Sequence, residues 1–121
     1  MATSLPVLVV DDDESIREFV SVALADEGYS VVTATNGVTA LEAIRRQQPG
    51  VILLDMRMPI MDGWEFSRVY HATPAPHAPI IVVTAARDAA GRAAQIQAEG
   101  HLAKPFELDD LLEMVGRYVR T

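Results

Sequence analysis

Cysteine is absent from the 121 residues, which excludes a disulfide framework and every thiolate metal site and is compatible with a reducing compartment. Basic residues are scarce. Ten Lys and Arg against seventeen Asp and Glu leave a formal charge of -7, and the clustered cations that grip a nucleic-acid backbone are missing. Direct nucleic-acid binding is therefore not expected, and an acidic surface suits a protein partner better. No apolar run approaches the roughly 20 residues needed to cross a bilayer, and no basic stretch leads into an apolar one at the amino terminus. The expectation is a soluble, cytoplasmic protein without membrane attachment. Aromatics are few, at 6%, but half of the residues are apolar, enough for one compact core, so residues 1–121 are read as a single domain.

What the chain has is an alternation of short apolar runs with segments of helical period, the pattern of an α/β fold with a parallel sheet. Leu5 to Val10 reads as a buried strand ending at Asp11, Asp12 and Asp13. Ile16, Phe19, Val20, Ala23 and Leu24 follow at helical spacing, with Gly28 as the stop. Val31 to Ala34 is the second strand, and Asn36 opens a helix that must finish before Pro49. Val51 to Leu54 runs into Asp55, and Asp62 with Glu65 forms a capping pair for the next helix, whose inner face is Phe66, Val69 and Tyr70. Thr73 to Pro79, with three prolines, is a loop. Ile80 to Val83 ends at Thr84; Asp88 to Glu99 is a helix rich in alanine and poorly anchored by large side chains. A short fifth strand, His101 to Ala103, meets Lys104-Pro105, and Leu108, Leu111, Leu112, Val115 and Val119 stripe the last helix.

Open parallel sheets bind ligands at the carboxyl ends of their strands. Here those ends carry Asp11, Asp12 and Asp13, then Asp55, Thr84 and Lys104. Clustered carboxylates in a crevice repel one another unless a cation sits among them. Oxygen ligands without Cys or His favour a hard ion such as Mg²⁺. Lys104 offers a point charge and Thr84 a hydroxyl, the groups that neutralise phosphoryl oxygens. A carboxylate forms an acyl phosphate when preplaced cations meet the charge on the transferred group, and Asp55, at the tip of the central strand, is the acceptor expected. Asp13 and Glu14 are read as helix caps or dipole partners, His71 and His77 as solvated, and Trp64 as packing or a partly exposed cover.

At these residues the chain resembles the receiver domains of two-component response regulators, a flavodoxin-like family. The resemblance rests on Val9-Val10-Asp11-Asp12-Asp13, on Leu53 to Gly63 around Asp55, on Ile81-Val82-Val83-Thr84-Ala85 and on Leu102-Ala103-Lys104-Pro105-Phe106. It implies a (βα)5 three-layer sandwich with a five-stranded parallel sheet of order 2-1-3-4-5. It further implies phosphorylation of Asp55 by a sensor histidine kinase or a histidine phosphotransfer protein. Mg²⁺ would be held by Asp12, Asp55 and the backbone carbonyl of Arg57, with Asp11 orienting a metal water. Lys104, aimed by a cis bond before Pro105, would contact the phosphoryl group. Thr84 would act as the switch together with the residue at the aromatic position of the fifth strand. That position holds His101 where the family usually has Tyr or Phe, and a histidine also titrates near neutral pH. Arg57 and Ala86 would flank the path of attacking water. The region between Thr84 and Lys104 is shorter than in many relatives, with Gln97 where a helix-ending glycine is common. The implied output is a downstream protein or an output domain beyond this chain, with homodimerisation on phosphorylation at the face of the fourth helix, fifth strand and fifth helix. Such a domain is not an enzyme beyond assisting its own phosphorylation and dephosphorylation. Two other readings are a haloacid-dehalogenase-like aspartyl-phosphate phosphatase using Asp11, Asp13 and Ser15, and a pseudo-receiver that docks without taking phosphate.

Overall fold

The computed structural model describes residues 5–85, 87 and 89–120. In chain order the elements are β1 (Val7–Val10), α1 (Glu14–Asp26), β2 (Val31–Ala34), α2 (Gly37–Arg46), β3 (Val51–Leu54), α3 (Gly63–Ala72), β4 (Ile80–Thr84), α4 (Ala89–Gln95), β5 (Gly100–Ala103) and α5 (Leu108–Tyr118). The strands form one parallel sheet in the order β2-β1-β3-β4-β5, as the resemblance implies.

β1 and β3 are apolar at every position, and β4 up to Thr84, because both faces of the sheet are covered. Val7, Val9, Val51, Leu53, Ile81 and Val83 pack on one face with Val20 and Leu24 of α1 and Leu111 and Val115 of α5. Their neighbours Leu8, Val10, Ile52, Leu54, Ile80 and Val82 pack on the other with Ala40 of α2, Phe66 and Tyr70 of α3, and Ala93 and Ile96 at α4. The period of two along each strand thus sorts side chains into two apolar layers.

Local chemistry moves several boundaries from where the pattern puts them. β1 begins at Val7 rather than Leu5, because Pro6 has no N–H for the ladder; its carbonyl instead accepts the Gly50 amide at 2.8 Å. α4 stops at Gln95, short of Glu99, because Gln97 takes the left-handed conformation (φ 56°). The Gln97 amide then donates to Ala94 (3.2 Å) and the Ala98 amide to Ala93 (2.8 Å), closing the helix as glycine does elsewhere. Asp62 caps α3 by accepting the Glu65 amide at 2.9 Å, but the reciprocal half of the box is not formed, since the Glu65 carboxylate is taken by Arg68. Asn36 and Thr39 do complete a capping box at α2. Among the described residues, no helix is long and apolar enough to cross a membrane.

The loop from α3 to β4 is closed by one buried phenol. The Tyr70 hydroxyl accepts the Ala78 amide at 2.7 Å and donates to Gln48 Oε1 at 3.0 Å, while Gln48 Nε2 donates to the Pro76 carbonyl at 2.8 Å. His71 and His77 are brought together at this loop, with ring centroids 5.3 Å apart. Replacing Tyr70 by phenylalanine keeps the ring but strands a buried amide. We therefore expect Tyr70→Phe to lower the unfolding free energy by about 1–3 kcal/mol in urea titration. Equal midpoints for the two proteins would show that the phenol does not hold the loop.

Candidate functional site

Strand register builds the site. Val10 pairs with Leu54 across β1 and β3, so the next residues, Asp11 and Asp55, leave the sheet side by side. The Asp55 amide donates to the Val10 carbonyl at 2.9 Å, and the Asp11 amide to Ala34 at 3.1 Å. On the other side Thr84 pairs with Ala103, and the Lys104 amide donates to the Thr84 carbonyl at 2.8 Å. The bond between Lys104 and Pro105 is cis.

Asp11, Asp12 and Asp55 each turn a carboxylate oxygen into one space, with these atoms within 4.8 Å of one another. Asp11 and Asp55 are buried, as is Thr84, whereas Asp12 is exposed. Lys104 faces the cluster, with Nζ 2.6 Å from Asp11 Oδ2 and 3.8 Å from Asp55 Oδ2. Asp11 is occupied at both oxygens, because its Oδ1 accepts the Asp13 amide at 2.9 Å. Asp13 turns away from the cluster and caps α1 through the amides of Ser15 (2.9 Å) and Ile16 (3.3 Å).

The imbalance of charge falls on Asp55. Burial, the largest cause, pushes its carboxyl up from 3.8 to about 6; the Lys104 ammonium opposes the rise, Asp11 adds to it, the Arg57 backbone amide opposes it and Asp12 adds again. One ammonium does not neutralise three carboxylates. A space walled by three carboxylate oxygens, with no nitrogen or sulfur donor among them, fits a hard divalent cation.

The remaining residues singled out in the sequence fall in different places. Thr84 closes β4 beside Ala103, at the same edge as the acids. Arg57 is exposed, and its backbone amide lies against the Asp55 carboxyl. His101, exposed on the edge strand β5, pairs with Val82, two residues before Ala103 and outside the acid cluster. Ala86 lies outside the described residues. Sequence reasoning misses two supports of the site. Arg17 Nη1, from α1, donates to the Asp11 carbonyl at 2.8 Å. Gly63 brings α3 so close that a Cβ there would lie 2.8 Å from Met56 Cα and 3.0 Å from the Asp55 carbonyl oxygen. Close approach of this kind has no signature in one sequence.

The family profile described as "Response regulator receiver domain" matches residues 7–116. The response regulator MprA of Mycobacterium leprae is 39% identical over 116 residues, covering 94% of this chain and 50% of that protein. The chain spans about half the length of the curated relatives it matches. Among solved structures, the chemotaxis response regulator CheY4 of Vibrio cholerae is similar with a TM-score of 0.87 at 35% identity, over 97% of this chain and 100% of the other. The receiver domain of sensor histidine kinase PA1611 from Pseudomonas aeruginosa PAO1, with a magnesium ion coordinated in its active site cleft, is similar with a TM-score of 0.84 at 29% identity, over 96% and 98% of the two chains.

A raised folded-state carboxyl makes ionisation a cost of folding. The cost is absent below pH 3.8, grows as pH rises and is fully present above about 6. Removing the charge removes that cost, so in chelator Asp55→Asn is expected to be more stable than the parent by about 1–3 kcal/mol at pH 7.5, and by roughly half as much at pH 5. Urea unfolding at the two pH values measures both, and an Asn variant no more stable than the parent at pH 7.5 would contradict the electrostatic account.

Proposed function

Because this chain belongs to the family of response regulator receiver domains of two-component systems, we propose that Asp55 is its phosphoacceptor and that residues 1–121 act as one receiver unit. The observation that carries the reading is Lys104 Nζ set between Asp11 and Asp55, beside a third carboxylate, at the carboxyl edge of the sheet. In the reaction, an oxygen of ionised Asp55 bonds to phosphorus as the phosphorus–nitrogen bond of a partner's phosphohistidine breaks and its electron pair stays on the imidazole nitrogen. With its carboxyl at about 6, Asp55 is mostly anionic at neutral pH and poorly solvated, which suits a nucleophile. Lys104 is already within 3.8 Å of Asp55 and exchanges one anionic partner for another as phosphoryl oxygens arrive.

Asp12, Asp55 and the carbonyl of Arg57 are the groups we assign to Mg²⁺. When bound, the ion supplies positive charge that offsets the carboxylates and the transferred group's oxygens. Asp11, whose oxygens are held by Lys104 and the Asp13 amide, is left to act indirectly. Thr84 would read the phosphoryl group at the end of β4, with His101 on β5 as its partner in the switch. The partners that follow are a sensor histidine kinase or phosphotransfer protein upstream and an output protein or domain downstream, in the cytoplasm. The domain would assist its own phosphorylation and hydrolysis without being an enzyme in the usual sense. Neither the phosphatase nor the pseudo-receiver reading gains support, since the three acids and Lys104 converge around Asp55.

With acetyl phosphate and Mg²⁺, mass spectrometry is expected to find the acyl phosphate on Asp55 and none on the Asp55→Asn variant. Label on Asp11 instead would favour the phosphatase. Mg²⁺ alone is expected to raise the melting temperature at low ionic strength and pH 7.5, by binding the folded acid cluster and relieving its repulsion. Identical melting in chelator and in saturating Mg²⁺ would remove the cation from the account.

A further inference from the structure

α4 is the element least able to hold itself. It has seven residues, Ala-Ala-Gly-Arg-Ala-Ala-Gln, and its buried side chains are only Ala89 and Ala93. A helix this short does not persist without tertiary ties, and alanines supply little apolar area. Among the described residues, two directed contacts tie it to α3 through Trp64, the only tryptophan in the chain. The indole Nε1–H donates to Gln95 Oε1 at 2.8 Å, and the Arg92 guanidinium lies 5.2 Å from the centre of the ring.

Trp64 is also one residue from the floor of the acid cleft. Gly63, before it, donates its amide to the Met56 carbonyl at 2.9 Å and abuts the Asp55 carbonyl so closely that no Cβ fits. The far end of the same loop is fixed too, for the Gly37 amide donates to the Met61 carbonyl at 2.9 Å and a Cβ at Gly37 would lie 2.5 Å from the Met61 side chain. The backbone of Asp55 and Met56 is thus in direct contact with the start of α3. Trp64 accordingly borders two hollows, one shared with Asp12, Arg57 and Asp62, the other with Ala94 and Gln95.

We propose that Trp64 is a coupling residue that transmits the state of the Asp55 cleft to α4. A change in charge at Asp55 shifts the Met56 backbone, Gly63 passes the shift to α3 without compression, and the indole changes its hold on Gln95 and Arg92. The inference rests on the phosphoacceptor reading, and it concerns residues distinct from Thr84 and His101.

The test is amide hydrogen exchange across residues 89–95, with and without beryllofluoride and Mg²⁺ as a phosphoryl stand-in, in the parent, Trp64→Phe, Gln95→Ala and the double variant. Phenylalanine keeps a ring but loses the donor; Gln95 is exposed, so its loss leaves the core intact. In the parent, beryllofluoride is expected to change exchange in α4 by about fivefold or more. In the variants the ratio between the two states is expected to fall below about twofold, and the double variant to lose no more than the worse single one. A tie that is only structural would shift both states alike and leave the ratio at its parental value, which would overturn the proposal. So would a parent that binds beryllofluoride, seen as a raised melting temperature, without any change in α4. A parent whose melting ignores beryllofluoride would overturn the phosphoacceptor reading and this inference with it.

Discussion

Lys104 stands between two buried carboxylates, 2.6 Å from one and 3.8 Å from the other, and much of the architecture serves to keep it there. Its amide is fixed to the Thr84 carbonyl, so the ammonium is delivered from the edge strand toward the centre of the sheet. The Asp11 backbone is held by Ala34 on one side and by Arg17 through its carbonyl on the other. Burial makes the Asp55 carboxyl resist ionisation, and the lysine, nearer to Asp11, offsets that only in part. A site with surplus negative charge is suited to receiving cations and reactive at the acid they leave least compensated.

The loop after Asp55 shows what such a site demands of its backbone. Ile60 adopts φ 72°, a left-handed conformation that costs a β-branched residue about 1–2 kcal/mol, and its side chain is 85% exposed, so packing does not repay the strain. The conformation persists because the flanks are over-determined: Met61 is bonded to Gly37 and Gly63 to Met56. The glycines act here through contact distance rather than through unusual dihedral angles.

The sheet and its acid-lined edge were legible because burial on both faces forces continuous apolar runs, and each run stops at polar residues. Asp11, Asp12, Asp55, Thr84 and Lys104 could be placed at strand ends from those runs alone. Choices among competing partners were not legible. Whether Glu65 reaches its own helix start or Arg68, and whether Lys104 leans toward Asp11 or Asp55, depends on distances between side chains that share no periodicity. The pairing of Trp64 with Gln95 joins surface residues of two helices 31 positions apart, and the meeting of His71 with His77 depends on the path of a proline-rich loop. Gln97 looked unlike a helix stop because it takes a left-handed conformation that glycine adopts more readily.

The sheet is one residue thick, and the buried apolar side chains on its two faces form two separate clusters. The layer containing α1 and α5 and the layer containing α2, α3 and α4 are therefore separate solids that share a wall. Substitutions in opposite layers should act almost independently on stability, whereas those within a layer should not. Such insulation lets the outer surface of α5 diverge to suit a new partner while the packing beneath Asp55 stays as it is.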